Sequence, residues 1–115
     1  MASSSVLSRD QTPGEKFRAG FERRILHTHH LMTVVLDIDN GPWDTADPFH
    51  SHSQEQITYL AEGEIEFLAE GAEPRTLRAG DLFAVPGGVP HSIRLLTPRA
   101  RLVDSFHPIR EDILK

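Results

Sequence analysis

His50-Ser51-His52-Ser53-Gln54-Glu55-Gln56, read together with the distant Pro86-Gly87-Gly88-Val89-Pro90-His91, decides how this chain is understood. Two imidazoles two residues apart in an extended segment leave the backbone on the same side, offset by about 7 Å along it. The second stretch supplies a third imidazole straight after a turn. Proline at each end fixes φ and the glycines admit positive φ, so His91 is delivered in a set direction. Three convergent imidazoles suggest a metal. Gln56 has the parity of His52, but on a straight strand it would lie about 13 Å further on. The chain must therefore turn at Ser53 to Glu55 for it to arrive, and parity does not survive a turn. Glu55 and Gln56 both stand as candidates for a fourth ligand.

A second His-x-His, His27-Thr28-His29, lacks this context. It sits at a hairpin tip without the Glu or Gln and the Gly that follow His50 and His52, and reads as exposed turn histidines.

Working outward, Phe21 to His27 and Leu31 to Ile38 read as strands joined by a turn at Thr28-His29-His30, with Met32, Val34, Leu36 and Ile38 on one face. Asp39-Asn40-Gly41-Pro42 is a turn, and a polar loop continues through Asp47-Pro48. Gln56 to Glu62 and Ile65 to Leu68 read as a β-hairpin around Glu62-Gly63-Glu64. Further strands are expected at Arg75 to Arg78, Leu82 to Val85, His91 to Leu96 and Arg99 to Phe106, with a last helical turn near Glu111 to Leu114. Short strands between Gly and Pro turns predict an all-β, antiparallel sandwich or barrel. Residues 1–20 show no periodicity and predict a flexible N-terminal arm before a single barrel domain, residues 21–115. In the strand from Gln56 both faces are partly apolar: Ile57, Tyr59 and Ala61 on one, Thr58 and Leu60 with Gln56 on the other. The outer face is expected to be covered, most simply by a second copy in a homodimer, with the N-terminal arm as the alternative cover.

The 115-residue length suits one domain with a core of its own, and 38% hydrophobic with 25% charged residues is ordinary for a globular protein. With no cysteine, disulfides and thiolate ligands are excluded. A net charge of −5 and a pI near 5.7 argue against nucleic-acid or anionic-membrane partners, which need a basic footprint. No window reaches the length of a membrane span, and the Ser-rich start does not resemble a signal peptide, so a cytoplasmic location is expected.

The spacing His50-x-His52, Gln56 and Gly63, followed by Gly80, Pro86-x-Gly88 and His91, resembles the two motifs of the cupin superfamily, over roughly residues 41–95. The resemblance implies a jelly-roll barrel, or double-stranded β-helix, with a divalent transition metal (Fe, Mn, Ni, Zn or Cu) on His50, His52, Gln56 and His91. Three positions depart from the family pattern: Gln56 replaces Glu, Asp44 replaces a glycine six before the first His, and Leu95 replaces a trailing Asn. The first leaves the ion with neutral ligands only, which favours an anionic substrate or hydroxide as the remaining ligand.

Asp104 and Phe106 share a strand face, and an Asp on an apolar strand is costly to bury unless paired or used. Desolvation would raise its pKa towards that of a general acid or base. Arg110, beyond Pro108, can return over the barrel mouth and hold a carboxylate. This tail, Asp104-x-Phe106-x-Pro108-x-Arg110-Glu111-Asp112, is similar to that of the pectin-degradation cupins that open unsaturated uronates into linear keto-acids. The resemblance implies catalytic roles for Asp104, Phe106 and Arg110 on a small-molecule sugar acid. Two other classes fit the same ligands: a mononuclear iron dioxygenase, and a non-catalytic module sensing a sugar or metal.

Overall fold

A computed structural model describes residues 3–114; Met1 and Ala2 of the expected arm and Lys115 of the expected barrel domain lie outside the described residues. The strands are β1 (Glu15–Arg18), β2 (Phe21–His27), β3 (Met32–Ile38), β4 (Glu55–Glu62), β5 (Glu64–Ala69), β6 (Arg75–Arg78), β7 (Leu82–Val85), β8 (His91–Leu95) and β9 (Ala100–His107). A 3₁₀ turn at Glu111–Ile113 follows. One sheet has the order β1-β2-β3-β9-β4-β7 and the other the order β6-β5-β8. Every strand pairing is antiparallel. The fold is the expected all-β jelly-roll barrel.

The core lies between the two sheets. Phe21, Ile38, Leu60 and Leu102 of the larger sheet meet Ile65, Leu77 and Leu95 of the smaller, all buried. A second cluster of Met32, Val34 and Phe106 packs against Ile109 and Ile113 of the C-terminal tail. These side chains follow the period-two alternation of their strands, so burying one face of each sheet fixes every register.

The expected hairpin around Gly63 does not form. β4 and β5 belong to different sheets, because both edges of β4 are taken: Gln56 to Tyr59 pair with β7, and Glu55 to Glu62 with β9. Gly63, at φ +86°, turns the chain out of the larger sheet. It lies so close to the Arg99 carbonyl and Ala100 that a Cβ would collide with both. The local turn chemistry of a hairpin and of a sheet-to-sheet corner are alike; the competing long-range partner, β9, decides between them.

The N-terminal region also differs from its reading. Glu15–Arg18 form an edge strand on β2, with Glu15 opposite Arg23 and Lys16 opposite Glu22. All four residues are exposed, so no hydrophobic alternation marks them as a strand. In β4 the predicted faces are observed: Gln56, Thr58 and Leu60 are buried, while Ile57 and Tyr59 stay 55% and 42% exposed.

Candidate metal centre

His50 and His91 are joined through their backbones, in an isolated antiparallel bridge with hydrogen bonds of 3.0 and 2.9 Å. The segment after His50 does not continue as a strand; it bends and re-enters the sheet at Glu55. Gly88 N–H donates to the His52 carbonyl at 2.8 Å, and Gly87 lies against the Ser53 carbonyl with no room for a side chain. The glycines of the second motif thus bring its backbone against the first. Ring centroids are 4.4 Å apart for His50 and His91, 5.1 Å for His52 and His91, and 6.0 Å for His50 and His52. One ring nitrogen from each of the three lies within 4.8 Å of the others.

The donor set fits a cation. His91 Nδ1 is 2.9 Å from the Val89 carbonyl and His52 Nδ1 is 3.0 Å from the Gln54 carbonyl. A carbonyl can only accept, so both Nδ1 atoms carry a proton, and in the neutral ring, the form that binds metal, Nε2 is then the lone-pair atom, the usual way an outer partner locks a ligand's tautomer. His91 Nε2 is buried without a hydrogen-bond partner among the described residues. Gln56 Oε1 stands 3.0 Å from His52 Nε2, which brings the amide oxygen beside the imidazole nitrogens and within reach of a cation held by them. Glu55 points outward and is exposed, so Gln56 is the one that reaches the imidazoles. Burial, reinforced by the neighbouring imidazoles and Arg110, holds the His50 pKa down to about 4, and burial likewise lowers that of His91. Both are therefore neutral, the form that binds metal, at neutral pH. His27 and His29 are exposed on their turn and take no part.

Behind the imidazoles runs a buried polar chain. Gln56 Nε2 donates to Thr58 Oγ1 at 2.8 Å, and Thr58 Oγ1 donates to Asp104 Oδ1 at 2.6 Å. Register places Thr58 directly across from Asp104 and Gln56 across from Phe106. Burial pushes the Asp104 pKa up to about 6, against the opposing pull of the Thr58 hydrogen bond and Arg110. The Phe106 ring meets His52 edge-on at 5.5 Å, and the Arg110 guanidinium lies 5.2 Å from the Phe106 ring centre. Arg110 is paired with Asp112 at 2.8 Å.

His50, Gln56, His91, Asp104, Phe106 and Arg110 all line one cavity of about 460 Å³. The strand reading missed two further walls of it, Phe17 and Arg18 of β1. Arg18 holds Asp47, on the loop leading to His50, through two hydrogen bonds of 3.0 and 3.2 Å. A wider cleft of about 760 Å³, between β1 and the region of Asp37 and Arg101, contains none of the imidazoles and offers no comparable donor set.

Residues 41–105 match the Cupin domain family of the Cupin_2 type. The chain is a cupin. It is 34% identical over 107 residues to the pectin degradation protein KdgF of Dickeya dadantii, covering 91% of this cupin and 94% of that protein. Among solved structures, KdgF from a Halomonas species superposes with a TM-score of 0.84 at 32% identity, covering 95% of this cupin and 99% of that chain. An RmlC-like cupin from Shewanella frigidimarina does so with a TM-score of 0.84 at 34% identity, covering 96% of each. Among the described residues, no helix is long and apolar enough to cross a membrane.

Proposed function

We propose that this cupin is a metal-dependent enzyme acting on a sugar acid, opening or tautomerising an unsaturated uronate to a linear keto-acid. One observation carries the reading: a buried carboxyl group, an arginine and an aromatic ring stand on the same cavity as the neutral imidazoles of His50 and His91 and the Gln56 amide, with the His52 ring nitrogen within 4.8 Å of theirs. The relationship to KdgF, named for pectin degradation, supports uronates as the substrate class.

His50, His52, Gln56 and His91 would hold one divalent transition metal. Bound there, it would supply Lewis-acid polarisation of a substrate oxygen. Arg110 takes the substrate carboxylate; its present partner, Asp112, is a carboxylate that the substrate's own can displace. Ring opening of an unsaturated uronate removes a proton from the anomeric hydroxyl and returns one to the alkene carbon, with no net change of atoms. One carboxyl group can do both, and Asp104 with a pKa raised to about 6 has both forms accessible near neutral pH. Phe106 closes the floor of the cavity between His52 and Arg110 and excludes water.

We further propose that the active form is a homodimer, joined through the exposed apolar side of β4 and β7. The test of function is direct. Metal-loaded protein mixed with an unsaturated uronate should accelerate loss of the conjugated-alkene absorbance without consuming oxygen. A rate equal to the spontaneous one defeats the ring-opening reading, and oxygen uptake would assign the site to a dioxygenase.

A further inference from the structure

Thr58 belongs to none of the motifs, yet it is fully buried and touches both halves of the site. Its hydroxyl has one proton to give and lone pairs to accept with. An ionised Asp104 can only accept, so the proton goes to Asp104 Oδ1 at 2.6 Å. What remains on Thr58 Oγ1 is a lone pair, and only the NH₂ end of the Gln56 amide can satisfy it, at 2.8 Å. The amide's two ends are otherwise nearly the same shape. We propose that Thr58 is a positioning residue: by spending its proton on Asp104 it turns the Gln56 amide so that Oε1, the ligating atom, faces the three imidazoles.

This rests on the reading of Gln56 as a metal ligand and on Asp104 standing across the strand pair from Thr58. It also accounts for the amide where the family pattern has a carboxylate. A Glu at position 56 would put a second acceptor-only group on a hydroxyl with a single proton, leaving one of two buried carboxylates unsatisfied. Gln at this position and an ionisable Asp104 are therefore a matched pair, joined by Thr58.

The test uses zinc alone, with no substrate. Thr58→Val keeps the shape and removes the hydroxyl; competition against a chromophoric chelator should show Zn²⁺ affinity falling by about tenfold or more, as for loss of other partners that orient a ligand. Thr58→Ser should restore it, and Thr58→Ala serves in place of Val should that variant fail to fold. In a Gln56→Ala background, Thr58→Val should cost no further affinity, since its effect passes through the amide. Wild-type affinity in Thr58→Val, an equal loss in Thr58→Ser, or additive losses in the double variant would each overturn the proposal. Because the readout is zinc, failure of the uronate reading leaves this result standing, and a failure here leaves uronate turnover to be judged separately.

Discussion

His50 and His91 lie far apart in the chain and hold each other's backbone through a reciprocal pair of hydrogen bonds, His50 N–H to the His91 carbonyl at 3.0 Å and the converse at 2.9 Å. The two motifs are thus stitched together before any ion arrives. Their side chains need little ordering to converge, which removes part of the entropic cost of binding.

That preorganisation separates the scaffold from the ligand. His91→Ala keeps the backbone bridge, since neither of its hydrogen bonds involves the ring. The variant should fold with the wild-type circular-dichroism spectrum and lose its divalent metal on dialysis, while the wild type retains about one equivalent. Elemental analysis decides it; full metal retention would remove His91 from the ligand set.

Asp104 makes a pH prediction with a defined sign. Its pKa rises from an ordinary 3.8 to about 6 on folding, so the folded chain binds this proton more tightly than the unfolded one. The resulting stability is fully present below the unfolded value and is lost as pH rises through about 6. A shift of about two units corresponds to roughly 3 kcal/mol. Urea unfolding of metal-free protein should show wild type losing about that much relative to Asp104→Asn between pH ~4 and pH ~7. Parallel stability profiles would mean that Asp104 titrates normally.

Much of this site was legible because each of its two motifs is compact in sequence. His-x-His marks two candidate donors by its spacing, although only His50 of the pair sits in a β-bridge and the chain bends after it, and Pro86 to Pro90 marks the third by turn chemistry. Choosing Gln56 over Glu55 needed the bend after His50, which parity cannot follow. Thr58 stayed hidden because its meaning depends on being opposite Asp104, a register set by β9 from the far end of the chain. The same strand explains the misread hairpin at Gly63, where local signals were sound and a distant partner won. β1 escaped notice for the opposite reason: all four residues of this edge strand are exposed, so no alternation marks it, and its register lies in cross-strand pairs such as Glu15 with Arg23.

Gln56→Glu tests the charge balance of the site. A carboxylate ligand compensates the cation better than an amide, so metal affinity should hold or rise. The new charge, however, competes with Asp104 for Thr58 and discourages its ionisation. Turnover of an unsaturated uronate should fall by about 10- to 100-fold at pH ~7, with the acid limb moved to higher pH. Undiminished turnover would show that Asp104 need not ionise.

Arg110→Lys keeps the charge and removes the planar fork. A hydrogen bond to a charged group contributes about 1.5–3 kcal/mol, so losing one of two should raise KM for the uronate about tenfold or more, with kcat affected less. A neutral sugar analogue should show no such difference between variant and wild type. An equal loss on both would place Arg110 in the scaffold and not against the carboxylate.

The outer side of β4 and β7 yields the last prediction. Ile57, Tyr59 and Leu82 are 55%, 42% and 60% exposed, and register sets Tyr59 beside Leu82 on one side and Val103 on the other. Three large apolar side chains in one patch, on the face turned away from the core, cost solubility unless covered. A two-fold pairing would bury each patch against its copy. Light scattering with size-exclusion chromatography should give twice the chain mass for wild type. Leu82→Glu combined with Ile57→Glu sets like charges facing across that pairing and should give the single mass. Gln56, the residue of β4 proposed as a donor, is buried on the opposite side of that strand, so zinc content should be unchanged in the variant. A wild-type monomer, or a dimer indifferent to these substitutions, would move the interface elsewhere.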